Sequence, residues 1–182
     1  MVNIYKLELT ILQQEILRLL LIRAGVQLNQ RSIAKILGVS APAVMKAIPG
    51  LERTSLIKVT QDKESRRWSI ELNRDNMRVM QIKRADNLRL MYECGLFDFL
   101  EKEFAGATII LFGSYSRGED IKNSDIDVAV IGRKEKQIDL EKFEKILERK
   151  ININYYASFV GIHKHLKENL CNGIVLSGGI QL

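Results

Sequence analysis

The chain has 182 residues, of which 46% are hydrophobic and 27% are charged. This composition excludes a disordered chain, and the length suits one medium domain or two small ones. The net charge of +6 is uneven, because residues 1–84 carry a net charge of +8 and residues 85–182 a net charge of −2. The asymmetry indicates two modules with different partners, the first suited to a polyanion; alternatively, its basic residues only keep the chain in solution.

Three helices are predicted near the start of the chain. Apolar residues at helical spacing predict the first helix over residues 8–24. Asn29 is expected to cap a second helix that ends at Gly38. Ser40 is expected to cap a third helix, which Pro49 and the glycine after it end.

A β-hairpin follows the three helices. The segments LIKVTQ and RRWSIEL alternate apolar and polar residues around the turn DKES. The residues expected to face inward are Val59, Trp68, Ile70 and Leu72. Ala34, Gly38 and Val44 stand where a helix-turn-helix has a small packing residue, a turn glycine and a buried aliphatic residue. Residues 8–73 therefore resemble the winged-helix DNA-binding family.

This resemblance implies a nucleic-acid partner, with duplex DNA as the expectation. The outward face of the third helix offers Ala41, Pro42, Met45 and Lys46, without the Arg, Asn or Gln that read base edges. We expect phosphate contacts instead, made by Arg31, Lys35, Lys46, Lys63, Arg66 and Arg67. The alternative is a module for protein interaction or dimerisation, which would make the chain a homodimer.

The second half of the chain predicts a mixed sheet. Helical sequence over residues 73–105 joins the two parts, so we predict a winged-helix domain over 1–78 and a second domain over 79–182, with connecting helices over 79–105. The strands ATIILF, DIDVAVIG and ININYYASF are separated by helical segments, and GIVLSGG is a short apolar tail. The predicted fold class is α+β, with a small mixed α/β domain of three or four strands after the winged helix.

Residues 111–128, LFGSYSRGEDIKNSDIDV, carry the polar motif of this second domain. Gly113 and Ser114 lie at a strand-to-helix turn, where free backbone amides and a hydroxyl favour an anion. Asp125 and Asp127 are two residues apart on a strand, so both carboxylates leave the same face. Paired carboxylates beside a phosphate cradle suit Mg²⁺ and a nucleoside triphosphate.

Gly-Ser, ten residues and Asp-x-Asp resemble the signature of the DNA polymerase β nucleotidyltransferase superfamily, and the short span over residues 84–182 is similar to its minimal members. The resemblance implies that Gly113 and Ser114 bind the triphosphate of ATP. It further implies that Asp125 and Asp127 are the catalytic carboxylates that hold Mg²⁺. The remaining nucleotide-binding candidates are Arg117 and Ser124. Members transfer a nucleoside monophosphate to a hydroxyl, which in some cases belongs to a partner protein, and release pyrophosphate.

One position departs from this signature. The family usually supplies a third carboxylate from the next strand, which aligns the metal and takes the proton of the attacking hydroxyl. Here the candidates are Asn152 and Asn154, and an asparagine cannot act as a base. Loss of a general base costs roughly 10²–10⁴ in rate. Glu148 lies just upstream, but we expect the preceding helix to extend past it.

Location is predicted from what the sequence lacks. No apolar run reaches the ~18 residues of a membrane span, and the start MVNIYKLELT lacks a signal-peptide layout. Cys94 and Cys171 are too few for a disulfide framework or a zinc site, so we expect buried free thiols. The expected setting is the cytoplasm, with no membrane contact.

Three functions follow from these patterns. The first is a Mg²⁺-dependent nucleotidyltransferase that uses ATP and carries a nucleic-acid-binding module. The second is a non-enzymatic DNA-binding regulator with a degenerate nucleotide-binding transferase domain, favoured by the missing acid. The third is a protein-interaction adaptor without either chemistry.

Overall fold

The computed structural model of the protein describes residues 9–63 and 66–180. The chain divides between Val79 and Met80 into two compact units, which we call unit 1 and unit 2. Glu8, the first residue of the predicted first helix, and residues 64–65 of the predicted hairpin turn lie outside the described residues.

Unit 1 begins with three helices: α1 (Ile11–Ile22), α2 (Gln30–Leu37) and α3 (Ala41–Arg53). Thr10 and Gln13 cap α1 reciprocally in a capping box, and this cap sets the start of the helix at Ile11. Asn29 caps α2 through the Ser32 amide, and Gly38 ends α2 in the left-handed conformation.

The predicted end of α3 is wrong. Pro49 lies inside the helix, which continues to Arg53. The extension carries Leu51, which is fully buried, so the last turn gains apolar burial that offsets the missing N–H of proline. Ser40 caps α3 as expected, its hydroxyl accepting from the Ala43 amide at 3.3 Å.

A hairpin of β1 (Ile57–Gln61) and β2 (Trp68–Leu72) completes unit 1. The strands are antiparallel, and Leu28 forms an additional antiparallel bridge to Ile70. Ile70 and Leu72 are buried as predicted, whereas Val59 is half-buried. Three helices followed by this hairpin form a winged helix-turn-helix, which confirms the predicted fold of the N-terminal part.

The prediction of an inward-facing Trp68 is wrong, because 41% of the residue is exposed. Trp68 lies on the same face of β2 as Ile70 and Leu72 by strand alternation. It occupies the end of the strand next to the hairpin turn, paired with Gln61, where the core no longer covers that face.

Unit 2 is a four-stranded mixed sheet with flanking helices. Two helices precede it, α4 (Met77–Glu93), within which the unit boundary falls, and α5 (Leu96–Glu103). The strands are β3 (Thr108–Phe112), β4 (Ile126–Ile131), β5 (Ile151–Tyr156) and β6 (Ile174–Ser177). Their order is β5-β4-β3-β6, with β4 and β5 parallel and the other pairs antiparallel. The predicted apolar tail is thus a strand, β6.

Three short helices connect these strands: α6 (Gly113–Arg117), α7 (Glu141–Leu147) and α8 (Lys164–Cys171). Alternate residues of β3 and β4 pack into two apolar clusters, one with Ile109 and Val128 and the other with Ile110 and Ala129. Both faces of the central strands are therefore buried, which explains their continuous apolar sequence. Helix α7 is shorter than predicted and ends before Glu148, contrary to expectation, because Glu148 takes a left-handed conformation.

Within the described ranges, no single helix is long and apolar enough to cross a membrane; α2 and α3 meet the requirement only as a pair bent by 110°. Cys94 and Cys171 are both free thiols, but neither is buried as expected: Cys94 is half-buried and Cys171 is exposed. Its position at the last residue of α8 explains the exposure.

Candidate functional site

The strand-to-helix turn after β3 brings Gly113 against Asp127. Gly113 begins α6 with a φ of +75°, and a Cβ there would lie 2.7 Å from Asp127 Oδ2. Phe112, the residue before it, pairs with Asp127 across β3 and β4. Only glycine combines this backbone conformation with this close approach, so the motif places a bare backbone beside a carboxylate.

Hydrogen bonds within the turn hold α6 in place. Ser116 Oγ donates to the Gly113 carbonyl at 2.8 Å, and the Glu119 amide donates to the Ser114 carbonyl at 3.0 Å. Ser114, the second residue of the helix, is half-buried. Gly118 then ends α6 with a φ of +74°, where a Cβ would lie 2.4 Å from the Met80 carbonyl oxygen. The turn therefore packs directly against the backbone of α4.

Asp125 and Asp127 converge on one asparagine of the neighbouring strand. Asn152 Nδ2 donates to Asp125 Oδ2 at 3.2 Å and to Asp127 Oδ1 at 3.3 Å. Asn152 stands opposite Asp127 in the parallel register, whereas Asn154 stands opposite Ala129. Of the two asparagines predicted from the sequence, Asn152 thus occupies the position beside the paired carboxylates.

An open cleft of about 550 Å³ lies beside Asp125. Its walls are formed by residues 122–125, by α7 and by the segment 148–150 that leads into β5. Glu144 of α7 accepts from Lys150 Nζ at 2.9 Å and from the Ile151 amide at 3.0 Å. The bond from Lys150 lowers the pKa of the Glu144 carboxyl, so this wall keeps its negative charge. Glu148 lines the same cleft as Asp125.

The other two predicted nucleotide-binding residues have partners within their own loop. Arg117 Nε donates to Glu119 Oε2 at 2.8 Å. Ser124 Oγ accepts from the Ile121 amide at 3.0 Å, which closes the turn that leads into Asp125. Ser124 thus shapes the approach to the carboxylates.

A buried polar cluster, consisting of Lys83, Asn87, Asp120 and Arg149, lies behind α6. Asp120 is fully buried and accepts from Asn87 Nδ2 at 2.7 Å. It also pairs with Lys83 Nζ at 3.0 Å and with Arg149 Nη2 at 3.4 Å. Burial lowers the pKa of Lys83 even though Asp120 favours its charged form. The cluster ties α4, the loop after α6 and the start of β5 together.

Sequence reasoning missed this cluster. Asn87 Nδ2 also donates to the Tyr115 carbonyl of α6 at 2.9 Å, so the cluster positions the turn that carries Gly113. A signal was present in α4, where Lys83 and Asn87 lie on one helical face with Met91, which is fully buried. Polar residues within such a buried stripe indicate an internal ion pair.

Four of the six basic residues predicted to contact phosphates lie around one cleft of unit 1. An open cleft of about 580 Å³ is lined by Asn29, Gln30, Arg31, Ser32, Lys35, Arg66, Arg67 and Trp68. We call it the basic cleft. Lys46 and Lys63 are exposed but do not line it. On α3, Pro42, Met45 and Lys46 are exposed as expected.

Comparison with solved structures finds partial similarities. The adhesin competence repressor AdcR from Streptococcus pyogenes is 26% identical, with a TM-score of 0.42, over 57% of this chain and 72% of that chain. A cysteine-to-serine mutant of ZitR from Lactococcus lactis is 22% identical, with a TM-score of 0.42, over 58% and 68%. The MepR–DNA complex from S. aureus is 25% identical, with a TM-score of 0.39, over 53% and 78%.

The winged-helix assignment of unit 1 rests on its own element order and hairpin register, independently of these partial similarities. No curated protein matches the chain. A family model described as a nucleotidyltransferase domain matches residues 93–173, which include the turn at Gly113, the paired carboxylates and Asn152. The C-terminal part of this chain therefore carries a nucleotidyltransferase domain.

Proposed function

We propose that the protein is a Mg²⁺-dependent nucleotidyltransferase that transfers AMP from ATP to a hydroxyl acceptor. The observation that carries the proposal is the convergence of Asp125 and Asp127 beside the bare backbone of Gly113, in a domain that matches the nucleotidyltransferase family. Carboxylate pairs next to a phosphate cradle are suited to a metal-bound triphosphate.

The residues present fit Mg²⁺. Among residues 9–63 and 66–180, no group of three or more His, Cys, Asp or Glu side chains could hold a metal. Mg²⁺ does not require one, because it takes one or two carboxylates, substrate phosphates and water. Asp125 and Asp127 would supply the carboxylates, and Asn152 can turn its amide over to present its oxygen. The metal would neutralise charge that develops on the phosphates.

The chain's own groups have distinct roles in this proposal. The backbone of Gly113 and Ser114 faces the phosphates, and Ser124 shapes the loop before Asp125. Arg117 contacts a phosphate after leaving Glu119, an exchange that costs little because exposed ion pairs contribute about 0–1 kcal/mol. The buried polar cluster keeps the turn in position.

The transfer itself forms one bond and breaks one. The acceptor oxygen attacks the α-phosphorus, the bond between that phosphorus and the bridging oxygen breaks, and pyrophosphate leaves. The hydroxyl proton must pass to a base. Asn152 cannot take it, whereas Glu148 lines the cleft beside Asp125 and is the carboxylate that we assign to this proton.

In unit 1 we propose that the winged helix docks the protein on nucleic acid through backbone phosphates. The supporting observation is the cluster of four cationic side chains around the basic cleft. The six phosphate-contact candidates are Arg31, Lys35, Lys46, Lys63, Arg66 and Arg67.

The free thiols of Cys94 and Cys171 suit a reducing cytoplasm.

A second candidate function is favoured by Asn152. If no carboxylate takes the proton, the domain would bind ATP without transferring it, and the protein would be a DNA-binding regulator that responds to nucleotide. An incubation with ATP labelled at the α-phosphorus, Mg²⁺ and cell lysate separates the two. A labelled macromolecule supports the transferase, whereas saturable ATP binding with no labelled product supports the regulator.

A further inference from the structure

The charged side chains that line the basic cleft of unit 1 are all positive. Four of its eight lining side chains are cationic, those of Arg31, Lys35, Arg66 and Arg67, and none of the eight is acidic. Such a cleft attracts an anion, and its volume of about 580 Å³ lies in the range of small-ligand sites. One nucleotide unit, with its phosphate, is a ligand of this size and charge.

An indole lies among these cations. Trp68 lines the basic cleft with 41% of its surface exposed, whereas Ile70 and Leu72 on the same face of β2 are buried. The exposed ring is an aromatic surface next to phosphate-binding groups, the combination that single-stranded nucleic acid uses. It is also the single tryptophan of the chain.

Duplex DNA does not offer Trp68 a base face, because its bases are already stacked on one another. The exposed side chains at the start of α3, Pro42, Met45 and Lys46, include no Arg, Asn or Gln to read base edges in the major groove, and Arg53 is exposed in the last turn of the helix. The basic cleft offers phosphate-binding groups and one aromatic ring instead.

We propose that the basic cleft binds an unpaired nucleotide of single-stranded nucleic acid, with its base stacked on Trp68 and its phosphate held by the four cationic side chains. This inference rests on the nucleic-acid-binding part of the proposed function and adds a preference for unpaired strands. Binding tolerates any sequence, since every base has a π-face.

Trp68 itself reports on the interaction. The full chain is titrated at low salt with an oligo(dT) strand and, separately, with a mixed-sequence duplex of equal length, and tryptophan emission is recorded. We expect saturable quenching by the single strand and little change with the duplex. Equal quenching by both would overturn the stacking assignment.

Substitutions then test the ring, with fluorescence anisotropy of labelled strands as the readout. Trp68→Ala should weaken single-strand binding roughly 5- to 150-fold, the effect of one stacked base, and leave duplex binding unchanged. Trp68→Phe keeps a ring and should retain most of the affinity. Ile11→Ala, which also removes an exposed apolar side chain but lies on α1 outside the cleft, is the matched control. Thermal unfolding checks that each variant is folded.

The outcomes separate this inference from the proposed function. An equal loss of duplex affinity in Trp68→Ala would overturn the preference for unpaired bases, because the ring would then pack against the duplex. Duplex binding without single-strand binding would overturn the inference and leave the proposed docking intact. Absence of binding to either strand form would overturn both.

Discussion

Asn152 donates its amide to Asp127 across the parallel strands β4 and β5, at 3.3 Å and in direct register. The same nitrogen reaches Asp125 at 3.2 Å. Asn152 therefore holds together two carboxylates that would otherwise repel one another, at the position where the family resemblance implies a third acid. The two candidate functions therefore differ in whether the protein can transfer AMP with an asparagine at this position.

Asn152→Asp is expected to raise the rate of AMP transfer. A carboxylate at this position would align the metal and could take the hydroxyl proton that we assign to Glu148 in the wild type, so the roughly 10²–10⁴-fold contribution of a general base is the upper bound of the gain. Transfer from α-labelled ATP to the acceptor found in lysate measures the rate. Asn154→Asp is the matched control, because Asn154 stands opposite Ala129 and should give no gain.

If Asn152→Asp does not change the rate, the next residue to test as the base of the wild-type protein is Glu148. Glu148→Gln removes the carboxylate that we assign to the proton while it keeps the size of the side chain. We expect the rate to fall; a wild-type rate that survives this substitution would show that Glu148 is not the base.

Removal of either paired carboxylate is expected to abolish Mg²⁺-dependent ATP binding. Asp125→Ala and Asp127→Ala each delete a proposed metal ligand from an accessible site, so the fold should persist. Calorimetric titration of ATP with Mg²⁺ measures the affinity, and Glu135→Ala, on an exposed loop, is the control. Unchanged affinity in both aspartate variants would show that the metal site lies elsewhere.

Gly113→Ala should impair nucleotide binding through Asp127. The added Cβ would lie 2.7 Å from Asp127 Oδ2, so that carboxylate must move. Gly132→Ala is a matched control, because Gly132 also has a positive φ, +87°, but nothing lies within 4 Å of its added Cβ. Both variants should lose about 1–2 kcal/mol of unfolding free energy, measured with urea. Only Gly113→Ala should lose Mg²⁺–ATP affinity, and equal affinities in the two variants would contradict this account.

Asp120→Asn is expected to destabilise unit 2 severely. The substitution leaves Lys83 and Arg149 buried without their counter-charge, and loss of one member of a buried ion pair costs about 3–5 kcal/mol. Glu119→Gln, one residue earlier, removes the charge from the exposed pair with Arg117 and should cost about 0–1 kcal/mol. Urea unfolding compares the two variants. Similar losses would mean that the cluster does not support the turn.

Binding to duplex DNA should depend steeply on salt and weakly on sequence. If about four phosphates are neutralised, log K should fall against log salt with a slope of about −3.6. Reversal of Arg66 and Arg67 to Glu should weaken binding to all duplexes alike, since the proposed contacts of both residues are with backbone phosphates. Fluorescence anisotropy on unrelated duplexes at two salt concentrations measures this. A strong preference for one duplex would show that α3 reads bases.

The sequence by itself determined the local elements and the motif. Helix caps at Asn29 and Ser40 and the alternation around Ile70 act between near neighbours, so these elements could be predicted from short stretches. The spacing of Gly113, Asp125 and Asp127 could be recognised in the same way, whereas the approach of Gly113 to Asp127 depends on the pairing of β3 with β4.

Only the tertiary structure determined the features that depend on how distant segments pair and pack, namely strand register, the buried polar cluster and the exposure of Trp68. The pairing of β4 with β5 selects Asn152 over Asn154, and no local pattern encodes which residue of one strand faces which residue of another. Asp120 pairs with Lys83 and Arg149, which lie 37 and 29 positions away in the chain. The buried cluster therefore could not be predicted from patterns among neighbouring residues. Trp68 follows the alternation that predicts burial, yet 41% of it is exposed. Alternation determines which face of the strand a side chain lies on. The neighbouring elements determine how much of that face they cover, and they leave the end of β2 at Trp68 uncovered.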